Sequence, residues 1–181
     1  MRLHSGVTLI ELVVVIAIVG ILFGIGSPSY RYVTNSNRMS SEVNALLGDM
    51  QYTRSQAVRE GRRVVICISS NGTSCAGGMT NTWQSGWIVF SDVNMDGAAS
   101  GAEPVLRVQT AFSGTDVFKD SAGTLTQVSF NREGFAIGLP NAGSVLVLRD
   151  ATANQAWTRC LSITLVGTLA TQTHVANAGC T

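Results

Sequence analysis

Histidine is nearly absent from this 181-residue chain, which has His4 and His174 as its two copies, and charged residues make up only 13% of it. That is about half the usual quarter. No nucleophile elbow, phosphate-cradling loop or ligand-spaced histidine pair occurs, so an enzymatic reading is rejected. The net charge of +1 gives no global attraction to nucleic acid or to an acidic surface. No Cys-x-x-Cys pair occurs among the four cysteines, Cys67, Cys75, Cys160 and Cys180. An even number without paired spacing points away from zinc and toward disulfides formed in an oxidising compartment. Sequence alone leaves the pairing open. Cys67–Cys75 and Cys160–Cys180 are favoured because each closes a local loop, worth about 2.5–3 kcal/mol apiece on the loop-entropy account. The length suits one anchored domain and leaves no room for two substantial ones.

What the chain does have is a long apolar run. Leu9 to Gly26 is long enough for a candidate membrane span, and Glu11 is its one formal charge. A carboxylate in hydrocarbon costs roughly 3 kcal/mol even on lenient scales, so it needs a partner. Cleavage after Gly6 would place a new amine on Val7, one helical turn from Glu11, where its charge would offset the carboxylate within a chain or between packed neighbours. The polar, basic stretch Met1-Arg2-Leu3-His4-Ser5-Gly6 ends where the apolar run begins, so such a cut leaves the span on the mature chain. An ordinary secretory signal is cut after its apolar part.

Pro28 lacks a backbone donor and disfavours a helical Ser27, which predicts a kink or break there. Beyond it Tyr30, Val33, Val43, Leu46, Leu47, Met50 and Ala57 fall mostly on one helical face. Gly61, after Arg59 and Glu60, reads as a helix C-cap. The pattern then changes to short β-rich runs: 63–68, 87–90, 105–109, 125–131, 144–149, 158–165 and a weak 171–175. One long helix followed by closely spaced strands predicts an α+β fold with mostly antiparallel sheets packed on the helix.

The N-terminus closely resembles the type IV prepilin leader. In that class a prepilin peptidase cuts after a Gly, the new N-terminus is methylated, and a Glu stands fifth in the mature chain. Gly6, Val7 and Glu11 match those roles, with Val7 in place of the usual Phe. Further stretches resemble the GspH/FimT group of minor pilins and pseudopilins: Gln51-x-x-Arg54-Ser55-x-Ala57-Val58-x-x-Gly61, Trp83 with Gly86-Trp87-Ile88-Val89-Phe90-x-Asp92-x-Asn94, and Phe130-Asn131-x-x-Gly134. Together they cover most of residues 7–135.

The resemblance implies a type IV pilin-like fold divided into a leader (1–6), a transmembrane and filament-core helix (7–28), an amphipathic helix (29–61) and a β-rich globular domain (62–181). It implies a single-pass protein of the bacterial inner membrane with a periplasmic C-terminal domain that later enters a pilus. Its partners would be other minor and major pilins and the prepilin peptidase, and its role would be to join and help prime assembly. A minor pseudopilin of type II secretion shares every one of these features, and a passive anchored domain shares all but the cleavage.

Some relatives of the FimT type bind DNA through a late Gly-Arg-x-Arg loop. The aligned stretch here is Gly167-Thr168-Leu169-Ala170, which lacks both arginines, and no Lys or Arg follows Arg159. Phosphate contacts need such residues, so DNA capture by that loop is not expected. The cluster Arg59, Arg62 and Arg63 reads first as a solvated, dipole-matched helix end. No cofactor is implied, with one exception. Asp92-x-Asn94-x-Asp96-Gly97-x5-Glu103 satisfies the EF-hand loop pattern of oxygen ligands at alternate positions, a turn Gly and a distal Glu. Its flanks read as strands, and Pro104 comes at once after the Glu. The two readings are a Ca²⁺ loop between strands and an Asx-rich turn.

Overall fold

The computed structural model describes residues 6–76, 81–140, 143–174 and 180, with the side chains of 25–29 and 31 outside that set. It divides into two compact units, 1–37 and 38–181. One helix, α1 (Leu9–Glu60), belongs to both. The helix continues through Ser27 and Pro28, where the sequence predicts a kink or break, so no break occurs there.

In the first unit, Thr8 caps α1. Its hydroxyl accepts the N–H of Glu11 at 3.3 Å, and its carbonyl accepts the N–H of Leu12 at 3.2 Å. The large apolar side chains from Leu9 to Phe23 are all exposed, as are Tyr30 and Val33 farther along, so these last two do not share the buried face expected of them.

In the second unit, Met39, Val43, Leu46, Met50, Thr53 and Ala57 are buried. Their spacing of three and four residues puts them on one face of α1. Burial of each large apolar side chain is worth about 1.5–3 kcal/mol. Gly61, at φ +65°, ends the helix in the left-handed conformation that a C-cap requires.

Among the described residues, the second unit adds nine strands: β1 (Val64–Ile68), β2 (Gly86–Ser91), β3 (Val105–Thr110), β4 (Val117–Asp120), β5 (Gln127–Phe130), β6 (Ala136–Ile137), β7 (Gly143–Arg149), β8 (Arg159–Thr164) and β9 (Leu169–Thr173). They form a five-stranded sheet ordered β3-β2-β1-β5-β6 and a four-stranded sheet ordered β4-β7-β8-β9. Every pairing is antiparallel.

The two central strands β1 and β2 are buried on both faces. Val64, Ile66, Ile68, Trp87 and Val89 join the main core with the helix residues. Val65, Cys67, Ile88 and Phe90 form a second small core on the other side, covered by Cys75 and Ala99. Two-sided burial explains why both segments read as continuous apolar runs rather than as alternation. Disulfides join Cys67 to Cys75 and Cys160 to Cys180, with Cα atoms 5.6 Å apart in each.

Candidate functional site

Two regions carry the residues singled out by the sequence, and they lie in different units. Gly6 and Val7 are exposed, directly ahead of α1, and Glu11 lies in its first turn. The Thr8 hydroxyl and the Glu11 N–H make one half of a capping box, a pairing that the Thr-x-x-Glu spacing encodes and that charge alone does not suggest. Glu11 thus stands where the helix dipole favours a carboxylate. Around it, Leu9, Ile10, Leu12, Val13, Val14, Val15 and Ile16 present apolar surface on every side of the helix. A helix apolar all round is either buried among others or immersed in lipid. Among the described residues no helix is long and apolar enough to cross a membrane. The last two positions of the expected span, Ile25 and Gly26, lie outside the described side chains, as do Met1–Ser5.

The second region is the loop joining β2 to β3. It brings carboxylate oxygens of Asp92, Asp96 and Glu103 within 4.8 Å of one another. Asp92 is fully buried, ion-pairs with Arg63 and accepts the Gly97 N–H at 3.1 Å. Asn94 Oδ1 accepts the Asp96 N–H at 3.0 Å, and Asp96 Oδ1 accepts the Ala98 N–H at 2.8 Å. Glu103 accepts from the N–H groups of Val93 (2.8 Å), Asn94 (3.4 Å) and Ser100 (3.0 Å). Burial pushes its carboxyl up, but the N–H donors of Ser100, Val93 and Asn94, with the Ser100 hydroxyl, outweigh it and hold the group below the usual range.

The basic residues considered as phosphate contacts are engaged elsewhere. Arg59 donates to Gln56, Arg62 lies 3.9 Å from Glu60, and Arg63 is paired with Asp92. Arg54 donates to the Gly134 carbonyl at 3.0 Å and to the Val166 carbonyl at 3.5 Å, tying α1 to the β5–β6 and β8–β9 loops. The tryptophans Trp83 and Trp87 are core residues. Trp83 Nε1 donates to the Leu125 carbonyl at 3.0 Å, and Trp87 Nε1 donates to Asp49 Oδ2 at 2.8 Å. Asp49 also takes Arg107 at 2.7 Å, whose guanidinium stacks 3.8 Å over Tyr52. In the sequence Asp49 reads as a polar helix position and nothing more. Its partners lie 38 and 58 residues away, and no local pattern encodes them.

One titrating group follows from the packing of α1. Burial first, then the charge of Asp116, push the Glu42 carboxyl from 4.5 up to about 7, while Arg38 pulls the other way and a hydrogen bond with Asp116 adds to the rise. Arg38 itself pairs with Asp116 at 3.0 Å. A raised carboxyl means that the folded state holds the extra proton between those two values. The stability contribution is therefore complete below about pH 4.5 and is lost as pH rises through about 7. Glu42→Gln, neutral at every pH, is expected to melt with the wild type near pH 4 and at a higher temperature near pH 8. Thermal unfolding at both pH values checks this, and equal midpoints at both would contradict it.

Comparison with known proteins places these features. The family model for the type II transport protein GspH matches residues 42–167, and the model for the prokaryotic N-terminal methylation motif matches residues 1–27. Two crystal structures of the type IV minor pilin FimU of Pseudomonas aeruginosa (strain PAO1), in space groups P21 and P65, are similar in fold. Their TM-scores are 0.61 and 0.56, at 20% identity. Each match covers 80% of this chain, with 96% and 99% of the FimU chain.

Proposed function

Since this chain belongs to the GspH family of type II transport proteins, we propose that it works as a minor pilin, one that joins a type IV pilus and helps prime its assembly. In this reading a prepilin peptidase cuts after Gly6 and the new amine of Val7 is methylated. Residues 7–28 hold the protein in the inner membrane and later lie in the filament core. Residues 29–61 carry the chain to the domain 62–181 on the periplasmic side. The observation that carries the reading is the apolar surface of α1 from Leu9 to Phe23, exposed all round in the single chain. Lipid and then neighbouring pilin helices would supply the cover that such a surface needs. The match to the methylation motif over residues 1–27 supports the processing step.

The test is intact-mass analysis of the membrane-extracted chain from strains with and without the peptidase, together with N-terminal peptide sequencing. The expected product lacks the first six residues, counted from Met1 to Gly6, and carries one methyl on Val7. A full-length chain in both strains would sink the proposal.

A second reading is favoured by the description of the matching family itself, a type II transport protein. As a minor pseudopilin the chain would share the processing and the packing, and differ only in the fibre it enters. Deletion of the gene separates them: loss of surface pili supports the first, loss of protein secretion with normal piliation the second.

A further inference from the structure

The loop between β2 and β3 contains more carboxylate than a turn needs. An Asx-rich turn is complete with the bonds from Asp96 N–H to Asn94 and from Ala98 N–H to Asp96. It does not call for Glu103 to fold back from the far end of the loop, nor for Asp92 to be buried beneath it. Yet both are buried, and both face Asp96 with carboxylate oxygens no more than 4.8 Å apart. Three like charges at that spacing repel, and Arg63 offsets only one of them.

The arrangement at Asp92 is specific. Its Oδ2 takes Arg63 and the Gly97 N–H, whereas Oδ1 is buried without a hydrogen-bond partner. A buried carboxylate oxygen left without a donor is costly, and on a residue whose carboxylate lies within 4.8 Å of two others it is an open ligand position. Glu103 is fixed at the cluster by four donors, the N–H groups of Val93 and Asn94 on one oxygen and the N–H and hydroxyl of Ser100 on the other, so its negative charge is held in place before any ion arrives.

We propose that this loop binds one calcium ion, through Asp92, Asn94, Asp96 and Glu103, with the backbone carbonyl of Ala98 at the loop's seventh position. Oxygens within 4.8 Å of one another can all touch a single ion at the 2.3–2.6 Å of a Ca–O bond. The donor set is all oxygen, which suits hard cations and not zinc or copper, and the nearby cysteines Cys67 and Cys75 are tied up in their disulfide. Alternate ligands along a tight loop give the six to eight oxygens that calcium takes, whereas magnesium usually keeps several waters and uses one or two carboxylates.

The scaffold is strands, not helices. Both loop ends are pinned by backbone bonds, Ser91 N–H to the Pro104 carbonyl at 3.2 Å and Asp92 N–H to the Arg63 carbonyl at 3.0 Å. Ala99, in the middle of the loop, packs on the small second core. The ligands therefore sit on a braced frame, and Asp92 is held by Arg63 before any ion arrives. The site is independent of the pilin reading, and the failure of one leaves the other standing.

The test is calorimetric titration of the full chain in detergent, first stripped with chelator, with CaCl2 and separately with MgCl2. One calcium ion per chain is expected, with a dissociation constant on the order of 10⁻⁴–10⁻³ M, and weaker binding of magnesium. Asp96→Ala should weaken calcium binding at least about tenfold. Asp96 is exposed and bonds only within the loop, so this variant should keep the wild-type near-ultraviolet circular dichroism without metal. Glu103→Gln should weaken binding similarly; should it fail to fold, Asp96→Ala decides alone. Glu133→Gln, which removes an exposed carboxylate of a different loop, should bind as the wild type does. No calcium heat up to about 10 mM, or equal affinity in the wild type and Asp96→Ala, would overturn the proposal and leave an Arg63-paired turn.

Discussion

Glu11→Ala is expected to lower the amount of this protein in sheared filaments at least about tenfold while its amount in the membrane stays at the wild-type level. The cost of a lone carboxylate in an apolar setting, roughly 3 kcal/mol, is what makes the effect large. In the membrane that cost favours the variant, because Ala removes it. In an assembled bundle the same carboxylate, paired with the Val7 amine of a neighbour, would hold the helices in one axial register, since any other register leaves both charges unpaired. Thr8 gives Glu11 a second role to be separated from the first, because Glu11 also stands at the third helical position behind a capping threonine. Glu11→Gln separates the two roles. Gln can complete the same capping arrangement but carries no charge. If capping is what matters, Gln assembles and Ala does not; if the ion pair matters, both fail. Immunoblots of sheared filaments against the membrane fraction supply the readout, and normal incorporation of Glu11→Ala would remove the register argument altogether.

The α+β fold was legible because its signals are local. The helix buries positions spaced by three and four from Met39 to Ala57, and Gly61 ends it. The strands β1, β2, β3, β5, β7 and β8 lie within a residue or two of the β-rich runs, since each is built on β-branched, aliphatic or aromatic residues of strong strand preference. Strand β9, Leu169–Thr173, starts earlier than the weak 171–175 run, whose last position lies outside the described residues, because pairing to β8 and not its own composition fixes its start.

Two strands were missed for the same kind of reason. Val117–Asp120 is an edge strand of four residues with Lys119 and Asp120 among them, defined by its pairing to β7. Ala136–Ile137 has two residues and exists only as a partner of Ser129 and Phe130. Of the kink or break expected at Pro28, the break is not found: proline removes one donor and crowds one carbonyl, a local penalty that the long helix carries without ending there.

Of the candidate sites, the acidic loop was visible as spacing. The burial of Asp92 and the role of Arg63 depend on strand pairing, and no spacing rule could show them. Asp49 is the extreme case. It is one carboxylate joining Trp87 and Arg107 to the helix, with no local trace in the sequence.

Gly86→Ala is expected to lower the thermal midpoint of the full chain in detergent by roughly 6–15 °C, whereas Gly101→Ala should leave it within about 1 °C. Gly86 opens β2 directly after the single turn Trp83–Ser85, with φ 101° and ψ 172°, a conformation almost confined to glycine. That alone costs a residue with a Cβ about 1–3 kcal/mol. The new methyl would also stand 2.5 Å from the Gln109 carbonyl oxygen and 3.0 Å from the Ser69 carbonyl oxygen. Both are backbone atoms held in place by their neighbours, so the clash is relieved only by moving strands, for about 1–3 kcal/mol more. The position is sensitive because the central strands are aligned through it. Gly86 sets the register that pairs Trp87 with Ile68 on one side and Gln109 on the other, and so places the Trp87 ring in the core with its N–H on Asp49. Gly101, by contrast, has open space where a Cβ would go. Equal midpoints for the two variants would mean that the β1-β2-β3 frame yields at Gly86. In that case the backbone strain assigned to this residue is not what fixes the register of the central strands.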